Sequence, residues 1–156
     1  MRPNITAFLL FLTLTLGSVF SQTGAANPTT RFVDNGDGTM TDTSSGLMWQ
    51  MSLSVEVFNW ADAVRYADDL TFAGYTDWRL AYRVELTSLY PAGMTDFVGW
   101  LRDQGFENVQ SAEYWTGTWF DYLGADYAWV VNLRHGSMRS SPQENAYHVW
   151  VLRGGK

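Results

Sequence analysis

The sequence has no cysteine among its 156 residues. That single absence excludes disulfides, cysteine-ligated zinc and thiol nucleophiles together. Histidine is nearly absent as well, with only His135 and His148. No carboxylate spacing around them completes a zinc site, so no metal and no cofactor is expected. Positive charge is scarce: ten Lys+Arg stand against sixteen Asp+Glu, a formal charge of −6. A chain of that balance is not built to hold phosphate backbones, and nucleic acid is excluded as a partner. There is no Gly-x-Ser-x-Gly elbow, and the spacing of the carboxylates singles out no glycosidase pair. Internal repeats, coiled-coil heptads and low-complexity runs are also missing.

Long apolar runs are confined to one place. Ile5 to Leu16 is a twelve-residue apolar stretch preceded by Arg2. As a helix it would rise about 18 Å, short of the roughly 30 Å of a bilayer's hydrocarbon, so it is not expected to span a membrane. Gly17-Ser18-Val19-Phe20-Ser21 follows, with Val19 and Ser21 at −3 and −1 for a cut before Gln22. Residues 1–21 therefore read as a signal peptide, with a second cut site after Gly24-Ala25-Ala26. The mature protein is expected to be secreted or periplasmic. Losing the signal takes one arginine and no carboxylate, leaving nine cations against sixteen anions, a charge of −7. Exported chains commonly staple themselves with disulfides; this one must rely on packing.

The means for packing are abundant. Nine Phe, eight Tyr and eight Trp make the chain 16% aromatic within 46% hydrophobic residues. This suffices for one domain with its own core and argues against disorder. Residues 22–30 read as a flexible polar leader. After it, Arg31-Phe32-Val33, Thr39 to Asp42 and Leu47 to Gln50 read as a three-strand meander. Its turns are Asp34-Asn35-Gly36-Asp37-Gly38 and Thr43-Ser44-Ser45-Gly46. Asn59 caps a helix over 60–70, on which Trp60, Ala63, Val64, Ala67 and Leu70 recur at helical spacing. Arg83 to Tyr90 is a second helix stopped by Pro91, and Thr95-Asp96 caps a third segment carrying Phe97, Trp100 and Leu101. Strands are expected at Tyr114 to Trp119, Tyr127 to Leu133, Ser137 to Ser140 and Tyr147 to Arg153. Helices between strands predict an α+β domain whose first and last strands meet.

Several segments resemble one family in order. Arg31 to Thr39, Thr41-Asp42 and Gly46-Leu47-Met48-Trp49-Gln50 are similar to the opening of the Lcl C-terminal-domain-like family. Asp77-Trp78-Arg79-Leu80 with Glu85-Leu86 resembles its central motif, and Tyr114-Trp115-Thr116-Gly117-Thr118 its tyrosine–tryptophan strand. Ala128-Trp129-Val130-Val131-Asn132 and Leu152-Arg153-Gly154-Gly155 resemble its last two. The resemblance covers residues 31–155. It implies a C-type-lectin-like fold, with two or three short helices, a small twisted and mostly antiparallel sheet, and termini close together. Its best-known use is a trimeric surface adhesin for sulfated glycosaminoglycans.

Three departures stand out. Ala81-Tyr82 replaces the Pro-Thr that usually follows Trp-Arg-Leu. The implied disulfide between the first helix and last strand loses both ends, at Ala67 and Val151. A mature charge of −7 repels polyanions unless Arg134, Arg139 and Arg153 cluster.

The turn Asp34 to Thr39 has the oxygen donors of a calcium loop, but its twelfth position is Ser45 rather than glutamate, so a structural turn is expected. Trp49, Trp78 and Trp115 fall in the motifs and read as core, as do Trp60 and Trp100 on apolar helix faces. The run from Trp119 to Tyr127 reads as an aromatic and acidic loop. Trp119, Asp121, Tyr122 and Asp126 are its candidate binding residues, joined by Arg134, His135 and Arg139 from the next hairpin. Tyr147 and Trp150 are expected on the same face. The function expected is an exported, non-catalytic recognition domain for a glycan or envelope protein. The alternatives are an envelope hydrolase with a carboxylate pair, or the structural subunit of a homo-oligomer.

Overall fold

Turn chemistry dictates the start of the fold. In the first turn Gly36 and Gly38 adopt φ of +78° and +85°, the left-handed region open to glycine. The structure, a computed structural model, describes residues 30–122 and 125–154. The expected signal peptide, the leader before Thr30 and the Leu123-Gly124 pair lie outside the described residues. The meander appears as expected, with β1 Phe32–Asp34, β2 Thr39–Asp42 and β3 Met48–Gln50.

Helix α1 (Trp60–Asp68) starts where Asn59 Oδ1 accepts the amide of Asp62 at 2.9 Å. A short β4 (Arg79–Leu80) leads into α2 (Arg83–Ser88). Helix α3 (Phe97–Asp103) is capped by Asp96, whose Oδ1 accepts the amide of Gly99 at 2.9 Å. Then come β5 (Glu113–Tyr122), β6 (Ala125–Asn132), β7 (Met138–Pro142) and β8 (Val151–Arg153). No helix among the described residues is long and apolar enough to cross a membrane.

The α+β class holds, but the strands form two sheets rather than one. The larger has the order β1-β2-β3-β8-β4 and the smaller β5-β6-β7, with every strand pair antiparallel. The last strand shares a sheet with the first but does not touch it. Leu152 pairs with Trp49 of β3 on one side and Arg79 of β4 on the other. An apolar strand with no exposed surface at Val151 or Leu152 belongs in the middle of a sheet, and β2 already occupies the other edge of β3. Both described ends nevertheless come to the β2–β3 turn. Thr43 Oγ1 donates to the carbonyl of Thr30 at 3.5 Å, and a Cβ at Gly154 would stand 3.8 Å from the carbonyl oxygen of Gly46.

A second correction concerns residues 119–127, expected as a loop. Residues 119–122 and 125–127 are the paired ends of β5 and β6, with Phe120 opposite Tyr127 and their rings stacked at 5.9 Å. Cross-strand aromatic pairs of this kind stabilise a hairpin.

Two buried clusters flank the strands. Tyr114, Val131, Trp150 and Leu152 face one, with Trp49, Leu86, Leu89, Phe97, Leu101 and Phe106. Their sequence neighbours Trp115, Val130, Val149 and Val151 face the other, with Ala63, Ala67 and Trp78. The period-two alternation of strand side chains thus makes β5, β6 and the C-terminal segment a wall between two cores. Ala67 and Val151 are both buried in the second cluster, so apolar packing occupies the two positions of the implied disulfide.

Candidate functional site

The site grows from an irregularity in β5. Trp115 pairs with Val130 and Trp119 with Ala128, so Thr116, Gly117 and Thr118 together face Trp129 alone. Such a bulge bends a strand and re-aims its side chains. It is pinned on one side by three hydrogen bonds. Gly117 N–H donates to the carbonyl of Ala81 at 2.9 Å, Trp60 Nε1 to the carbonyl of Thr116 at 2.9 Å, and Arg83 N–H to Thr118 Oγ1 at 3.4 Å. The approach is tight: a Cβ at Gly117 would lie 3.3 Å from both the Leu80 carbonyl and the Tyr82 ring, so a larger residue would have to push one of them back.

Beside the bulge lies a groove of about 240 Å³, lined by Trp60, Val64, Asp68, Arg79, Leu80, Tyr82, Gly117 and Trp119. That is smaller than the roughly 300–1,000 Å³ of pockets for drug-sized ligands, and suits a single ring. Trp119 is 56% exposed on β5 and Tyr82 46% exposed just before α2, unusual for large apolar side chains. Trp119 and Trp60 meet at 6.3 Å between ring centres, 52° apart.

Tyr82 is clamped from behind. The Arg79 guanidinium sits 4.5 Å from the centre of its ring and binds both oxygens of Glu85, at 2.8 and 2.6 Å. Glu85 also accepts the backbone N–H of Tyr82 at 2.7 Å. The hydrogen bonds with Glu85 raise the Arg79 pKa, so its charge is fixed and is spent inside the protein. Asp68 is exposed on the rim and has no ion pair among the described residues. The groove thus offers aromatic faces and one uncompensated carboxylate acceptor.

The residues expected as a single binding face are separated. Trp119 alone lines the groove. Asp121 and Asp126 oppose each other further along the same hairpin, both exposed. The Tyr122 side chain lies outside the described residues. Arg134 and His135 are exposed in the β6–β7 turn, at the other end of the eight-residue β6, about 25 Å from the hairpin tip. Arg139 is the second residue of β7, where it binds Glu113 and donates to Tyr147 Oη at 2.8 Å. Trp150 is wholly buried. Consecutive antiparallel hairpins turn at opposite ends of the sheet, so neighbouring strands did not bring neighbouring turns together.

Trp60, read from sequence as packing, and Tyr82 are the walls that sequence reasoning missed. The available signal was Ala81-Tyr82 in place of Pro-Thr. Ala81 supplies the carbonyl that docks the bulge, and Tyr82 stands beside it.

Other surfaces are less suited to chemistry. Asp126 and Glu144 share an open groove of about 470 Å³ with Asn59 and Gln143, and both carboxylates are exposed. A general acid of a glycosidase needs a carboxyl withdrawn from water. In the β1–β2 turn, Asp34 accepts the amide of Gly36 at 2.8 Å and Asp37 that of Thr39 at 3.1 Å. Both carboxylates therefore serve their own turn. No group of three His, Asp or Glu side chains that could hold a metal occurs among the described residues.

The cations are dispersed, and five of the eight described arginines are paired with carboxylates. Arg31, Arg65, Arg79, Arg139 and Arg153 pair with Asp42, Asp62, Glu85, Glu113 and Asp77. Arg102 donates to the Val109 carbonyl and Arg83 covers Trp129. Arg139 and Arg153 belong to different sheets, so the three-arginine cluster with Arg134 does not form.

No curated protein matches the chain. The family model described as the Lcl C-terminal domain matches residues 38–153, from the first turn to the last strand, and the chain belongs to that family.

Proposed function

We propose that this is an exported, non-catalytic recognition domain of C-type-lectin-like fold, and that its partner is an uncharged glycan of the cell envelope. The observation that carries the reading is the groove between Trp60, Tyr82 and Trp119, where exposed aromatic faces stand beside a carboxylate acceptor. A sugar ring presents an apolar C–H face to an aromatic plane and hydroxyl donors to an oxygen such as that of Asp68. The apolar run before Ser21 supports export. The pairing of five arginines with carboxylates supports an uncharged ligand over a sulfated one.

A glycan array probed with residues 22–156, alongside the Trp119→Ala variant, tests this. The expected result is binding to uncharged glycans at physiological salt, a loss of at least about tenfold in Trp119→Ala, comparable to the stacking energy of one exposed ring, and no retention on heparin. Silence on the array, or wild-type affinity in Trp119→Ala, overturns the reading. Capture of an envelope protein through the same groove in a pull-down would replace the glycan with a protein partner.

A further inference from the structure

The first turn contains the dipeptide Asn35-Gly36, exposed and without a side chain to shield its peptide nitrogen. In a flexible chain this pair is chemically labile. The Gly36 nitrogen, having given up its proton to base, attacks Cγ of Asn35. A carbon–nitrogen bond forms, Nδ2 takes a proton from water and leaves as ammonia, and a succinimide ring results. Water then adds at either ring carbonyl, leaving aspartate or isoaspartate at position 35.

Here every group the reaction must move is held. Gly36 N–H donates to Asp34 Oδ1 at 2.8 Å, and the carboxylate acceptor holds the proton on the attacking nitrogen. Asn35 Nδ2, the leaving group, donates to Thr39 Oγ1 at 2.8 Å and Thr41 Oγ1 at 3.0 Å. Oδ1 of the same amide lies 3.1 Å from Thr41 Oγ1, and the Asn35 backbone N–H donates to the Thr39 carbonyl at 3.0 Å. A Cβ built at Gly36 would meet nothing within 4 Å, so packing contributes nothing to this restraint.

We propose that Asn35 is a latent deamidation site, kept as an amide by the hydrogen bonds of Asp34, Thr39 and Thr41. The two states are self-reinforcing. The isoaspartate product lengthens the backbone inside the turn and adds a negative charge between Asp34 and Asp37. Both changes oppose the register that pairs Asp34 with Met40 and Phe32 with Asp42. Once converted, β1 does not re-form its hairpin, and the change is one-way.

Peptide mapping for isoaspartate after incubation of the mature protein in mildly alkaline buffer tests the proposal. Native wild type, wild type in denaturant, Thr41→Val and Asp34→Ala are compared, with Asn35→Gln as the blank for this position. The native protein is expected to convert at least about tenfold more slowly than the unfolded chain. Thr41→Val and Asp34→Ala should each recover about tenfold of that rate while folded, as the loss of one or two hydrogen bonds implies. Circular dichroism and native-state hydrogen exchange of the core confirm that each variant is folded; if one is not, the other carries the comparison. Conversion of native wild type as fast as in denaturant overturns the proposal. So does a folded Thr41→Val or Asp34→Ala that converts no faster than wild type.

Discussion

Tryptophans in this protein divide by what surrounds them. Trp150 is fully buried, packs on Trp49 at 4.8 Å and Phe106 at 5.0 Å, and donates Nε1 to the Gln50 carbonyl at 3.0 Å. Urea denaturation of Trp150→Ala is expected to show a loss of about 3–5 kcal/mol, whereas exposed Trp119→Ala should stay within about 0.5 kcal/mol of wild type. Trp49 is as buried, yet its Nε1 has no partner among the described residues. Phenylalanine there removes a buried donor that already lacks its bond, while at Trp150 it strands the Gln50 carbonyl. Trp49→Phe should therefore cost less than Trp150→Phe. Sequence showed which tryptophans sit in motifs but not which are walled in: Trp60, on an apolar helix face, is half-buried and lines the groove. Two tyrosines give the fold an alkaline limit. Burial pushes the hydroxyls of Tyr90 and Tyr114 up to about 12. The unfolded chain releases those protons near 10, so the stability they contribute is complete below pH 10 and is lost as the pH rises toward 12. The denaturation midpoint should fall across that window, and Tyr90→Phe and Tyr114→Phe should flatten the fall.

At the level of elements, whatever depends on short-range signals was legible. The meander and the caps at Asn59 and Asp96 follow from side chains that bond their own neighbouring backbone, which a linear pattern reveals. The β5 bulge was not legible, because its cause is remote: Ala81, Trp60 and Arg83 pin it from other elements. The same holds for 119–127, where Gly124 and flanking acids suggested a loop but cross-strand stacking made a hairpin. Two substitutions probe these joints. Gly38→Ala combines a φ of +85° with a Cβ 2.8 Å from Phe72 Cζ, and should cost about 1–3 kcal/mol in chemical denaturation. Glu85→Ala removes the bidentate partner of Arg79, in a pair whose two side chains are mostly buried, and should cost about 2–3 kcal/mol. It also releases Tyr82, so it should weaken the glycan binding proposed for the groove more than its stability loss explains.

For the molecule as a whole, placing Ala67 and Val151 in one buried cluster makes the missing disulfide testable. The double variant Ala67→Cys/Val151→Cys is expected to oxidise spontaneously and raise the denaturation midpoint, with a ceiling of about 4.5 kcal/mol for a loop of that length. Free thiols in the folded variant, measured by alkylation and mass spectrometry, would show that the two positions have drifted apart. The strand order has a temporal consequence. A chain is synthesised from its N-terminus, and β8 is the strand that joins β3 to β4. Until β8 has been made, the edges of β3 and β4 that it later covers have no partner, and neither core cluster has its final wall. Closure then depends on contacts spanning about a hundred residues, such as Trp49 with Leu152, a topology that folds slowly because the connecting loop must be ordered first. A chain interrupted before Val151 would therefore not be a shortened domain but an open one, with two sticky edges exposed to aggregation or proteolysis.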